Sequence, residues 1–299
     1  MRISYVANHE QATSNDDEGA ITNALTLLGH EVRCVQEASN PAPSDLLPAD
    51  LTIFHKWAGW STMDALRDRC RLAFWYFDLV DHPDPTLASR CANRRAWMAE
   101  AEARVDIGFC TDGDWASRNP HRLVHLTQGA DQRHVYAETT ETTKNKIPIL
   151  FTGTRRGGVD RERFVDEMQS RWGSRFRHVP HGLHGRELSS TIASATIVVA
   201  PPSPVTDLYC SNRAYMTMGH GGLLLHPKCA TLQSQYEDGR EMLFYGSTGR
   251  LHTLIERWLA ATSFERMTVR NAGLHRTTTE HTYLHRCRDL IKYVEELKT

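Results

Sequence analysis

Two short segments in the second half of the chain carry residue types that can hold an anion. The first is Phe151-Thr152-Gly153-Thr154-Arg155-Arg156-Gly157-Gly158. Glycines let the backbone approach a ligand closely, and a helix that follows offers free N–H groups and a positive dipole end. Arg155 and Arg156 add guanidinium forks that grip phosphate oxygens in pairs. The run is neither a Walker loop nor a G-x-G-x-x-G fingerprint, so a Gly-rich turn with solvated arginines competes with the anion reading. The second segment runs from Ala200 through a proline-rich loop and Tyr209 to a helix beginning near Ser211. Asn212 and Arg213 stand in its first turn, and Gly221-Gly222 leads into the next strand. Between the two segments lie His178, His181 and His184, three apart. Pro180 and Gly182 break any helix there and no Cys or carboxylate completes the set, so a loop touching ligand or solvent is expected and no metal site.

The first half offers acids and flat rings. Asp78 follows Phe74-Trp75-Tyr76-Phe77, at the carboxyl end of an expected strand, where a carboxylate could take the proton of an attacking hydroxyl. Asp17, with Asp16, Glu18 and His9 on the loop after the first strand, competes for that role. Each of these acids also reads as a helix cap or a loop charge. Trp57 and Trp60, in His55-Lys56-Trp57-Ala58-Gly59-Trp60, could stack on a sugar or a base of the acceptor. Core packing is the alternative for both.

Strands that could position these groups are expected at Arg2–Ala7, Glu31–Val35, Leu51–His55, Leu72–Phe77, Val105–Cys110 and Leu123–Leu126. Helices are expected at about Glu18–Leu28 and Pro85–Ala103. Residues 137–146 lack any large apolar side chain and read as a linker. Beyond it, strands are expected at Ile147–Thr152, Phe176–Val179, Thr196–Ala200, Gly222–Leu225 and Glu241–Tyr245, with helices at Asp160–Trp172, Arg186–Ala193, Ser211–Met218 and Arg250–Ala261. Tyr283, Cys287, Leu290, Ile291, Val294 and Leu297 form one helical stripe. This alternation predicts α/β architecture: two doubly wound Rossmann-like domains, 1–136 and 147–280, facing across a cleft, with a final helix in 281–299 that could cross back to the first domain. Open parallel sheets bind ligands outside the carboxyl ends of their strands.

The chain has 299 residues, and 40% are hydrophobic, enough for two buried cores and too many for a disordered protein. Its net charge of −1 conceals an asymmetry: residues 1–131 hold 12 basic and 19 acidic side chains, residues 132–299 hold 23 and 17. Arginine supplies 29 of the 35 basic groups. Seven scattered cysteines without a C-x-x-C suit reduced thiols, and neither a membrane span nor a signal peptide is apparent. A cytoplasmic location is therefore expected.

From His184-Gly185-Arg186-Glu187-Leu188 through Asn212-Arg213, Gly221-Gly222 and Tyr236–Tyr245 to Glu280-His281-Thr282-Tyr283, the sequence resembles CgeB-type glycosyltransferases of the broad "glycosyl transferases group 1" assemblage, with the GT-B fold. The first half is similar more loosely, through Leu28–Val32 and Gln128-Gly129-Ala130-Asp131. The resemblance implies a hexosyltransferase whose second domain holds a nucleotide-diphosphate sugar, UDP-glucose or a related UDP-sugar, and whose first domain holds the acceptor. Gly153, Thr154, Arg155 and Arg156 would lie by the diphosphate, with Asn212 and Arg213 at the phosphates or ribose, and His181, Tyr209, Gly221 and Gly222 beside them. Many relatives have a Glu where this chain has Met216, which leaves the ribose contact and the anomeric outcome open. The sequence is read as holding no D-x-D motif, so a divalent metal is not expected to be essential. Phage enzymes of similar size and plan glucosylate hydroxymethylated pyrimidines, which makes DNA the leading acceptor. A cell-surface or spore-coat glycan or a small metabolite is the alternative. A sugar-nucleotide epimerase and a noncatalytic nucleic-acid-binding module are the readings from other classes.

Overall fold

The structure, a computed structural model, describes residues 1–9, 17–82, 84–134, 146–155, 159–180, 182–183, 185–202 and 205–297. The expected linker at 137–146 therefore lies outside the described residues except for Lys146. The chain divides into two compact units, Met1–Gln128 with Tyr283–Thr299, and Gly129–Thr282. The division falls at the Gln128-Gly129 pair, earlier than residue 136.

In the first unit, strands β1 (Arg2–Ala7), β2 (Glu31–Gln36), β3 (Leu51–Phe54), β4 (Arg71–Tyr76), β5 (Ile107–Cys110) and β6 (Leu123–His125) alternate with helices α1 (Asp17–Leu27), α2 (Pro43–Leu46), α3 (Trp60–Leu66), α4 (Ala88–Glu102) and α5 (Gly113–Ala116). All six strands pair in parallel, in the order β2-β1-β3-β4-β5-β6. In the second unit, β7 (Ile147–Thr152), β8 (Phe176–Val179), β9 (Ala195–Val199), β10 (Leu224–Pro227) and β11 (Leu243–Tyr245) alternate with α6 (Val159–Trp172), α7 (Gly185–Ala193), α8 (Arg213–Gly219), α9 (Ala230–Gln235), α10 (Thr248–Ala260) and α11 (Ser263–Glu280). Their parallel sheet has the order β11-β10-β9-β7-β8. Helix α12 (Tyr283–Glu296) then returns to the first unit.

Each sheet is buried on both faces, which is why its strands read as nearly continuous apolar runs: β3 and β5 are buried at every position. One face of the first sheet packs Ile3, Tyr5, Ile53 and Trp75 against α1 and against Cys287, Leu290, Ile291 and Val294 of α12. The other packs Phe54, Phe74 and Tyr76 against Met63, Leu66 and Met98. The second sheet is likewise covered, by Ile192, Tyr215 and Met218 on one side and Val165, Met168 and Ile255 on the other. In each sheet the strand order reverses beside the first strand of the unit. From β1 the chain goes to β2 on one side and β3 on the other, and from β7 to β8 and β9. Such reversals open a crevice at the carboxyl ends of the strands.

Candidate active site

The crevice of the second unit brings together the two glycine- and arginine-bearing segments. Thr152 ends β7, Gly153 follows it with φ +132°, and Arg213 begins α8 after the loop from β9. A Cβ on Gly153 would run into the Arg213 guanidinium, so only glycine leaves room for that side chain. Gly153 is pinned by its N–H, which donates to Val179 O at 2.8 Å, while its own carbonyl lies 2.8 Å from His178 Nε2. The His178 ring stacks on Phe151 at 5.2 Å, and the Arg213 guanidinium lies over the Phe151 ring at 5.6 Å.

Arg213 is half-buried, and its desolvation lowers its pKa to about 10, helped by repulsion from Arg161 and opposed only by Tyr209. No carboxylate among the described residues pairs with it. A partly desolvated guanidinium held beside a second cation, the buried Arg161, is costly without an anion. His226 at the end of β10 completes this side. Its burial, countered in part by the Pro227 carbonyl and aided by Arg213, brings its pKa down to about 4, so it stays neutral beside the arginine. Thr152 is buried and its hydroxyl has no hydrogen-bond partner among the described residues. With Gly153, Leu183, Leu188, Arg213 and Met216 it lines a small pocket at the strand ends.

Arg161, His226 and Thr152 escaped the sequence reading. The available signal was Arg161 itself, since a cation in the first turn of a helix opposes the dipole unless an anion shares the site. Among the residues that were expected, Arg155 is exposed and paired with Asp166 at 2.5 Å, and Thr154 follows Gly153 on the same loop. Tyr209 is buried, and its carbonyl lies 3.6 Å from the Cys229 thiol that donates to it. Asn212 is the residue before α8, and its carbonyl accepts from Met216 N at 2.9 Å. Arg156, His181, His184 and Asp16 lie outside the described residues.

Gly221 and Gly222 require correction as donor-binding residues. They follow the carboxyl end of α8 and precede β10, at the amino edge of the sheet, one helix length from Arg213. For a seven-residue helix that is roughly 10 Å. Their smallness serves packing: Gly221 turns with φ +68°, and a Cβ on Gly222 would collide with Thr217 and Ile192.

The tryptophans also require correction. Trp57 is 5% exposed and sits edge-on to Phe54 in the core, so it has no free face for an acceptor. Trp60 is half-buried between Trp97, at 5.9 Å, and Arg104, at 5.3 Å over its ring. Asp17 is engaged in holding α12: it accepts from Tyr283 Oη at 2.7 Å and Gln128 Nε2 at 3.0 Å, an architectural task in place of the catalytic one. Asp78 follows β4 and meets Lys56 at 2.5 Å and Arg94 at 3.2 Å. Burial alone would raise its pKa, but those two cations hold it below the ordinary carboxylate range.

At the first unit's own crevice, Tyr5 Oη and His55 Nε2 lie 2.6 Å apart, and His55 Nδ1 is 3.8 Å from Glu18. Burial, with Lys56 and His9, brings the His55 pKa down to about 3. His9 follows β1, its N–H donating to Gln36 Oε1 at 2.7 Å. One D-x-D spacing, Asp112-Gly113-Asp114, also escaped the sequence reading. Asp112 is fully buried and accepts from Trp115 N at 3.0 Å and Val80 N at 2.9 Å, so it caps α5 and orders a loop. The described residues hold no group of three or more His, Cys, Asp and Glu side chains fit for a metal.

Residues 133–292, more than half of the chain, match the glycosyl transferase-like family. The chain belongs to that family. Solved structures of similar fold cover nearly the whole length. Sucrose-phosphate synthase from Thermosynechococcus elongatus is 14% identical with a TM-score of 0.71, 99% of each chain being covered. HepE of Anabaena, in complex with UDP-glucose, is 12% identical with a TM-score of 0.68, over 99% of this chain and 100% of that one. An alpha-glucosyltransferase in complex with UDP and a 13-mer DNA containing an HMU base is 9% identical with a TM-score of 0.67, over 99% and 100%. No curated protein matches the sequence significantly. The fold of this glycosyltransferase is GT-B, with two Rossmann-like domains. No helix among its described residues is long and apolar enough to cross a membrane.

Proposed function

We propose that this glycosyltransferase moves a hexose from UDP-glucose or a related UDP-sugar to a hydroxyl acceptor, and that the acceptor is a hydroxymethylated pyrimidine in DNA. The observation that carries the donor half is Arg213, a half-buried guanidinium with no carboxylate partner among the described residues, set against Gly153 at the strand-order reversal of the second unit. A diphosphate supplies the missing counter-charge. As the glycosidic bond breaks, negative charge grows on the departing UDP, and Arg213 and Arg161 stabilise it without any reorganisation, the electrostatic contribution that dominates most such reactions. Thr152 Oγ1 is a further donor for a phosphate oxygen. No step is assigned to a divalent metal, and chelation with EDTA is expected to leave turnover intact.

On the acceptor side, Asp78 stays ionised between Lys56 and Arg94 and accepts a hydrogen bond from the incoming hydroxyl; Asp78→Asn should slow transfer while leaving UDP affinity unchanged. DNA as acceptor is supported by the surplus of basic residues in 132–299 and by the solved alpha-glucosyltransferase that binds UDP and DNA. The protein incubated with UDP-glucose and a hydroxymethylated duplex should add one hexose mass per modified base, and none to a plain duplex. Absence of that gain would discard the DNA acceptor. A second reading, a carbohydrate or small-metabolite acceptor, is favoured by the net charge of −1, since dedicated DNA binders are usually basic. Under it, turnover appears with oligosaccharide acceptors and not with duplex.

A further inference from the structure

We propose that Lys56, Arg90, Arg94, Arg95 and Arg118, gathered around two carboxylates at the carboxyl edge of the first unit, form a tract that binds the phosphodiester backbone of DNA. The inference rests on the reading of DNA as acceptor and deepens it, by naming where the first unit holds the polymer. All five cations lie in segments that follow strands β3, β4 and β5. Lys56 meets Asp78 at 2.5 Å and Arg94 meets it at 3.2 Å, while Arg95 and Arg118 meet Asp81 at 2.7 and 3.3 Å. Arg90 stands one turn before Arg94 on α4, on the same face of the helix. It is exposed and forms no hydrogen bond or ion pair among the described residues. Asp84, the remaining acid of the loop after β4, accepts from Thr86 N at 2.8 Å. Five cations against these three acids leave the edge positive by two.

That sign is opposite to the sign of the surroundings, since residues 1–131 hold 12 basic and 19 acidic side chains. Helix α4 is also charged against its own dipole. Its first turn has no acid, Arg90, Arg94 and Arg95 lie in its first half, and Glu100 and Glu102 lie at its end. A helix favours the reverse order, and an anion bound over the arginines offsets the mismatch. The tract stands on a fixed support. The backbone N–H groups of Val80 and Asp81 donate to Asp112 Oδ2 at 2.9 and 3.4 Å, and Arg94 donates to the Leu79 carbonyl at 2.5 Å. The Arg118 guanidinium lies over the Trp115 ring at 4.8 Å. Groups already held in place lose little freedom when a ligand arrives.

The chemistry of the tract suits phosphate. Four of its five cations are arginines, whose planar forks engage two phosphate oxygens at once. Solvent-exposed ion pairs such as those of Arg95 and Arg118 with Asp81 contribute little, so both side chains can turn to a phosphate at small cost. Each phosphate neutralised releases counterions, which makes the binding steeply salt-dependent. Asp78 stands inside the tract, so a backbone held there runs past the carboxylate assigned to the acceptor hydroxyl.

The test is fluorescence anisotropy of a labelled plain DNA duplex with the full-length chain, without UDP-sugar, between about 50 and 200 mM salt. The triple variant Arg90→Ala, Arg95→Ala, Arg118→Ala should bind at least about tenfold more weakly, and its slope of log K against log salt should be shallower by about 2–3. Its melting temperature and UDP affinity should stay as in the parent. Arg90→Glu alone, at an exposed position without bonds, should weaken binding several-fold. Arg67→Ala with Arg69→Ala, exposed at the amino edge of the same sheet, should not. Equal affinity and slope in the triple variant, no binding of the parent to duplex, or binding to heparin in its place, would overturn the tract. Its fate is separable from that of the acceptor. Unimpaired hexose transfer to a hydroxymethylated duplex by the triple variant would remove the tract and keep DNA as acceptor. Tract-dependent binding with no hexose gained would keep the tract and discard that acceptor.

Discussion

Arg213 is a half-buried charge with no carboxylate partner among the described residues, and that placement makes it the most informative residue of the chain. Charge-assisted hydrogen bonds contribute about 1.5–3 kcal/mol, so Arg213→Ala should weaken UDP binding by roughly 10- to 150-fold by calorimetry in a protein whose melting temperature is not lowered. Retained affinity would remove it from the site. Gly153→Ala tests the fit from the opposite side. The new methyl meets the guanidinium in a backbone conformation that suits glycine, a strain of about 1–3 kcal/mol, and donor binding should fall along with stability. Gly153 and Arg213 could be picked out in the sequence as a glycine after an expected strand and an arginine in the first turn of an expected helix, but their contact could not. Trp57 could not be placed, because a tryptophan after a strand has the same sequence signature whether it faces a ligand or the core.

Among the elements, α12 has the largest consequence for its size. It is the last helix of the chain and belongs to the first unit, where Cys287, Leu290, Ile291 and Val294 complete the core and Tyr283 meets Asp17. Leu290 is fully buried, so Leu290→Ala should cost about 2–5 kcal/mol in urea unfolding of that unit. The apolar stripe of α12 was visible in the sequence, and so was nearly every strand, because sheets buried on both faces leave unbroken hydrophobic runs. Helix α11 was not foreseen. Its 18 residues are largely polar, so periodicity was weak, although Thr262 and Glu265 form the capping box that marks its start. The strand β10 also begins two residues later than Gly222, since that glycine is needed against Thr217 and Ile192 before the strand can start.

At the scale of the whole molecule, each unit buries a neutral histidine near the carboxyl ends of its strands. Burial takes the pKa of His55 to about 3 and of His226 to about 4, both below the ordinary 6.5. Below about pH 6.5 the unfolded chain therefore binds protons that the folded chain refuses, so stability is complete above that value and declines as the pH falls toward 4. By pH 5 each histidine should account for about 2 kcal/mol of loss, and His55→Gln should reduce the slope of stability against pH by one proton. A slope unchanged by that substitution would mean that His55 is not neutral in the fold. The sequence by itself determined the α/β class, nearly all the strands and the family, because these depend on local composition and on spacing along the chain. Only the tertiary structure decided that Arg213 meets Gly153 and Arg161, that Trp57 turns inward, and that Asp17 is taken up by Tyr283. Burial and pairing of that kind come from residues far apart in the chain, and no local pattern records them.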